Sequence, residues 1–145
     1  MMVYYCCRIL KSCRYLSLLT AAMKKILVLD DNIDILEMIK EVLSYEHFEV
    51  RGLIAGANIL SAAVEFRPDL MILDYRLQDS NSGELCRMFK SHPTFKNVPV
   101  IICTAYIVPS LNLTEFRCDA VITKPFDIDN LVDTVNRLID YKTIL

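Results

Sequence analysis

The chain has 145 residues, of which 54% are hydrophobic and 23% charged, with a formal net charge of −2. That length suits about one domain around a single core, and that composition excludes a disordered chain. With near-neutral charge and no basic stripe, there is no electrostatic footprint for direct nucleic-acid binding.

Residues 1–22, MMVYYCCRILKSCRYLSLLTAA, carry Arg8, Lys11 and Arg14 inside their apolar stretches. Those charges exclude both a membrane span and a signal-peptide core. Basic residues alternating with Tyr and Leu leave an amphipathic, membrane-touching helix as an alternative reading. Met23-Lys24-Lys25 has the character of a natural start, so residues 1–22 are read as an extension outside the fold and residues 23–145 as the domain. The cysteines, at 6, 7, 13, 86, 103 and 118, form no C-x-x-C pair, and His47 and His92 stand apart from them. A zinc site is not expected, and reduced thiols in the cytoplasm are.

From Met23 onward, strand and helix patterns alternate. Ile26–Asp30 is a buried strand, and Ile33, Leu36, Ile39, Lys40 and Leu43 follow at helical spacing, with Asp31 or Asn32 as the cap. Phe48–Ile54 is a second strand, and Ile59 to Phe66 a second helix that stops at Arg67-Pro68. Leu70–Leu73 is an apolar run ending in Asp74, followed by a helix over Glu84–Lys90 that His92-Pro93 terminates. Val98–Cys103 ends at Thr104, a helix is expected over Leu111–Arg117, and Ala120–Thr123 ends at Lys124-Pro125. Asp127 caps a last helix carrying Ile128, Leu131, Val132, Val135, Leu138 and Ile139. Such repeats imply an α/β fold: a doubly wound, five-stranded parallel sheet with helices on both faces.

In such sheets, ligands bind beyond the carboxyl ends of the strands, where strand order reverses. Asp30, Asp31, Asp74, Thr104 and Lys124 stand at those ends, each after an apolar strand. Taken singly, each has an ordinary explanation as a cap or a turn former. Together they read as one convergent site. Three carboxylates without thiolate or imidazole form a hard oxygen site suited to Mg²⁺, which would relieve the repulsion between Asp30 and Asp31. An ammonium and a hydroxyl beside them complete a set suited to phosphoryl transfer. No glycine-rich nucleotide cradle is present, so a protein carboxylate, Asp74, is the expected phosphoryl acceptor.

The motifs LVLDDN, LMILDYRL, IICTA and ITKPF occur here in the order found in response-regulator receiver domains, which residues 23–145 resemble. The resemblance implies a flavodoxin-like fold in which Asp74 accepts phosphate from a sensor histidine kinase or histidine phosphotransfer protein. It implies that Asp30, Asp31, Asp74 and the Arg76 carbonyl bind Mg²⁺. Lys124 would pair with the phosphate, Thr104 would move to hydrogen-bond it, and the Lys124–Pro125 peptide would be cis. Because the chain ends at Leu145, a stand-alone signalling switch is expected, acting on a downstream protein through the fourth helix and fifth strand, a surface that would also suit a homodimer. Catalysis beyond its own phosphorylation and dephosphorylation is not expected.

Departures from the family pattern lie around these residues. Leu77-Gln78 replaces a common Met-Pro, Ser82 replaces a glycine that here follows as Gly83, and Val121 replaces a usual aromatic. The stretch from Thr104 to Lys124 is shorter than usual, with Val108-Pro109 near its start. Arg76 and Tyr106 occupy positions that in the family tune access of the hydrolysing water, and their bulk implies slow loss of phosphate. A phosphorylation-independent interaction module is the alternative function. A haloacid-dehalogenase phosphatase would need D-x-D at the first strand, and an FMN site would need a first loop that welcomes phosphate; Asp30-Asp31-Asn32 meets neither requirement.

Overall fold

The computed structural model describes residues 22–105 and 116–144. The expectations for residues 1–21, Tyr106, Val108-Pro109 and most of the Leu111–Arg117 helix fall outside them. In chain order the elements are β1 (Lys25–Leu29), α1 (Ile33–Tyr45), β2 (Glu49–Leu53), α2 (Ile59–Phe66), β3 (Leu70–Asp74), α3 (Ser82–Ser91), β4 (Val100–Thr104), β5 (Ala120–Thr123) and α4 (Ile128–Ile144). The strands form one parallel sheet of five in the order β2-β1-β3-β4-β5. β3 is therefore central, and the order reverses between β1 and β3.

Alternate strand residues serve opposite faces, because successive Cβ atoms point to opposite sides of a sheet. Ile26, Val28, Leu70, Ile72, Ile101 and Cys103 meet Leu36, Ile39 and Leu43 of α1 and Leu131, Val135 and Ile139 of α4. Leu27, Leu29, Met71, Leu73, Val100 and Ile102 meet α2 and α3 on the other face, through Ile59, Ala63, Phe66, Cys86 and Phe89. With both faces covered, β1, β3 and β4 read as unbroken apolar runs rather than as an alternation.

Element ends differ from the expectation where backbone hydrogen bonds decide them. β4 begins at Val100, not Val98, because Pro99 has no N–H; its carbonyl instead accepts Met71 N–H at 2.9 Å. α3 begins at Ser82, two residues before Glu84, because the Asn81 side chain accepts Gly83 N–H at 2.9 Å and Glu84 N–H at 3.3 Å. Asn32 caps α1 in the same way, leaving Asp31 uninvolved. Among the described residues no helix is long and apolar enough to cross a membrane.

Gly83 sits in the first turn of α3 against Phe116, whose ring also meets Tyr75 edge-on with centroids 6.2 Å apart. A Cβ at position 83 would overlap Phe116 Cδ1 and Cε1. In an open helix, Gly→Ala stabilises by up to about 1 kcal/mol, whereas forced overpacking costs about 1–3 kcal/mol. Gly83→Ala is therefore expected to lower stability by about 1 kcal/mol, and to become neutral or stabilising in a Phe116→Ala background. Urea midpoints of the four proteins in that cycle check it; equal effects in both backgrounds would show that the ring does not restrict position 83.

Candidate functional site

Register brings the polar strand ends together. Leu29 pairs with Leu73, so Asp30 lies just past β1, beside Asp74 at the end of β3. Asp74 pairs with Cys103, which puts Thr104 one residue further along β4; Thr104 pairs with Thr123, and Lys124 follows. The Lys124–Pro125 peptide is cis, as the resemblance implied. Lys124 N–H donates to the Thr104 carbonyl at 2.6 Å, fastening the end of β5 to β4.

Asp30 and Asp74 are buried, at 1% and 7% exposure, and so is Thr104 at 1%. Lys124 Nζ donates to Asp30 Oδ2 at 2.7 Å and to Asp74 Oδ1 at 2.8 Å. The other Asp30 oxygen accepts Asn32 N–H at 2.9 Å. Asp31 is half-buried, and one carboxylate oxygen each from Asp30, Asp31 and Asp74 lies within 4.8 Å of the other two. Arg76 is exposed two residues past Asp74, where it pairs with Asn81 in an isolated antiparallel bridge.

The electrostatics follow from this packing. Burial pushes the Asp74 carboxyl above its ordinary value, with the charges of Asp30 and Asp31 adding to the shift; the hydrogen bond and charge of Lys124 oppose it without cancelling it. Burial also works against the Lys124 ammonium, but Asp30 and Asp74 outweigh that and raise its pKa, so it stays charged. Burial drives the Cys86 and Cys103 thiols up to about 12, which makes them small core hydrophobes rather than nucleophiles.

Asp30, Asp31 and Asp74 offer an all-oxygen donor set of the kind that suits a hard divalent cation, and they fit one at this spacing. The sequence suggested that a metal relieves the acidic pair; in the structure, Lys124 is the cation bound to Asp30 and Asp74, and it makes no hydrogen bond or ion pair to Asp31 within the described contacts. One contributor was not singled out from the sequence. Asp79, in the loop after Asp74, accepts backbone N–H groups from the loop after β2. No local pattern marks it, because its partners lie 22 and 23 residues away.

An open parallel sheet whose strand ends converge on three carboxylates and a lysine defines a receiver-type α/β protein. The chain belongs to the response regulator receiver domain family, matched over residues 26–136, and so to two-component signalling. It is 27% identical over 125 residues to the regulatory protein AtoC of Escherichia coli, covering 85% of this chain and 27% of AtoC. It is 31% identical over 118 residues to the transcriptional regulatory protein GltR of Pseudomonas aeruginosa, covering 80% of this chain and 49% of GltR. The chain thus spans half or less of the length of these relatives. A putative response regulator from Chloroflexus aurantiacus superposes with a TM-score of 0.77 at 26% identity, covering 82% of this chain and 99% of that one.

Proposed function

We propose that this receiver domain is a phosphorylation switch whose acceptor is Asp74. The observation that carries the reading is the position of Asp74: buried, at the end of the central strand, bonded to Lys124 and grouped with Asp30 and Asp31. Receiver domains interact with histidine kinases or phosphotransfer proteins, and the donor here is the phosphohistidine of such a partner in the cytoplasm. An Asp74 carboxylate oxygen forms a bond to phosphorus as the phosphorus–nitrogen bond breaks, its electron pair returning to the imidazole. The product is an acyl phosphate on Asp74.

Asp30, Asp31, Asp74 and the Arg76 carbonyl would hold Mg²⁺, an ion that neutralises charge on transferring phosphoryl oxygens. Lys124 is already bonded to Asp74, and in this reading it pairs with the phosphoryl group. Thr104 ends the neighbouring strand, and in this reading its hydroxyl donates to the phosphoryl group. The phosphoryl group, carrying about −2 in place of the single carboxylate charge, would bias the loops bearing Thr104 and Lys124 toward a second packing. Through its own surface this domain contacts a downstream protein or a second copy, since a net charge of −2 offers little to nucleic acid.

Val121, half-buried where the family usually has an aromatic, favours the alternative of a phosphorylation-independent interaction module. The assembled Asp30–Asp31–Asp74 cluster, with Lys124 bonded to two of its carboxylates, favours the switch more strongly, because a binding module has no need for it. Incubation with acetyl phosphate and Mg²⁺, followed by intact mass, is expected to show one added phosphoryl group that EDTA prevents. If neither acetyl phosphate nor a phosphorylated kinase adds mass, the interaction module stands instead. In the same experiment the bulk of Arg76 and Tyr106 predicts slow loss of phosphate after donor removal, and decay within seconds would refute that.

A further inference from the structure

Residues 75–81 leave the central strand beside the site and return to α3. Two ties close this loop at its base: the Arg76–Asn81 bridge, and a hydrogen bond from Ser82 Oγ to the Tyr75 carbonyl at 3.1 Å. Its tip is tied elsewhere. Asp79 Oδ2 accepts Gly56 N–H at 2.9 Å and Ala57 N–H at 3.3 Å, both from the loop between β2 and α2. Asp79 Oδ1 accepts Ser80 Oγ at 2.8 Å, which leaves both oxygens engaged. Gly56 is buried beneath this tip, and a Cβ there would overlap the Ser80 side chain, so glycine at 56 lets the two loops meet without displacing Ser80.

Leu77 and Gln78 give this loop no proline to restrict its backbone. Its shape therefore depends on its ties. Cutting the tip free would let the six-residue stretch from Arg76 to Asn81 sample more conformations, and that freedom would have to be lost again whenever the Arg76 carbonyl engages a ligand.

We propose that Asp79 is a positioning residue for the cation site: its carboxylate, bonded to the Gly56 and Ala57 amides, holds in place the loop that carries the Arg76 carbonyl. The inference rests on the reading that Asp30, Asp31, Asp74 and Arg76 bind Mg²⁺. It assigns the clamp to a side chain three residues from the nearest of those ligands.

Calorimetric titration of the full chain with Mg²⁺ tests it. Asp79→Ala is expected to weaken Mg²⁺ binding about three- to tenfold, as loss of hydrogen bonds of this kind allows. Asp79→Asn, which keeps a carbonyl acceptor, is expected to restore most of the affinity. Asp69 accepts Lys25 N–H at 2.9 Å at the amino-terminal ends of β1 and β3, so Asp69→Ala removes a similar bond at the other end of the strands from the site and should leave affinity unchanged. In EDTA, amide exchange at Gly56 and Ala57 should accelerate in Asp79→Ala and remain as in the parent in Asp69→Ala. Parent-like affinity or parent-like exchange in Asp79→Ala overturns the clamp, as does equal weakening by Asp69→Ala. Asp74→Ala, titrated alongside, separates the two levels: if it too binds Mg²⁺ as tightly as the parent, the cation-site reading falls and the clamp falls with it.

Discussion

Asp74→Asn is expected to remove all covalent phosphate and, in EDTA at neutral pH, to make the protein more stable than the parent. The first effect follows because an amide oxygen cannot replace the carboxylate nucleophile, and Asp30 is already engaged by Lys124 and Asn32. The second follows from burial, which raises the Asp74 pKa above 3.8 with help from Asp30 and Asp31 and against Lys124. A carboxyl with a raised folded pKa holds its proton more tightly when folded. Its contribution is fully favourable below the unfolded value and is lost as pH rises through the folded pKa. The parent should therefore lose stability relative to Asp74→Asn across that acid window and stay below it at neutral pH. Intact mass after acetyl phosphate treatment and urea midpoints across the acid range check both effects. Phosphate retained on the variant would place acceptance on another carboxylate, and parallel pH profiles would show that Asp74 carries no burial strain.

Lys124→Met is expected to have the largest effect on stability. Its side chain is 13% exposed, and its ammonium bridges Asp30 and Asp74, whose side chains are 2% and 9% exposed. Removing one partner of a buried ion pair leaves uncompensated charge, which costs about 3 kcal/mol. In EDTA the variant should therefore lose about that much in a urea titration. Millimolar Mg²⁺ should recover much of it, because a divalent cation among the same carboxylates takes over the compensation. Phosphoryl acceptance should fall about 10²-fold, the scale for losing one stabilising donor. Asp30 and Asp74 raise the Lys124 pKa above 10.5, so its contribution is complete below that value and disappears as pH rises through the folded pKa. The parent alone should show that alkaline loss. Equal destabilisation with and without Mg²⁺ would indicate lost packing of the lysine stem rather than lost charge.

Much of this was legible because the information is local. Ile26–Leu29, Leu70–Leu73 and Val100–Cys103 are apolar on both faces, which marks strands covered twice, and the polar residue that ends each one announces the rim of the sheet. Asp30, Asp74, Thr104 and Lys124 were visible for that reason. Helix starts were less so: Asn81 caps α3 from inside a Ser-Asn-Ser-Gly stretch that reads as a turn until the fold shows where the helix axis runs.

By itself, the sequence determined the alternation of elements, the parallel architecture and the identity of the residues at the strand ends, since each depends on spacing along a few neighbouring positions. Only the tertiary structure decided which cation meets which carboxylate. Lys124 reaches Asp30 across 94 positions of chain and Asp74 across 50, and bonds to both because register aligns β1, β3, β4 and β5 to within a residue. The tertiary structure also decided that Asp79 fastens one loop to another and that Gly83 makes room for Phe116. Such contacts depend on distances set by packed layers, and no periodicity in the chain encodes them.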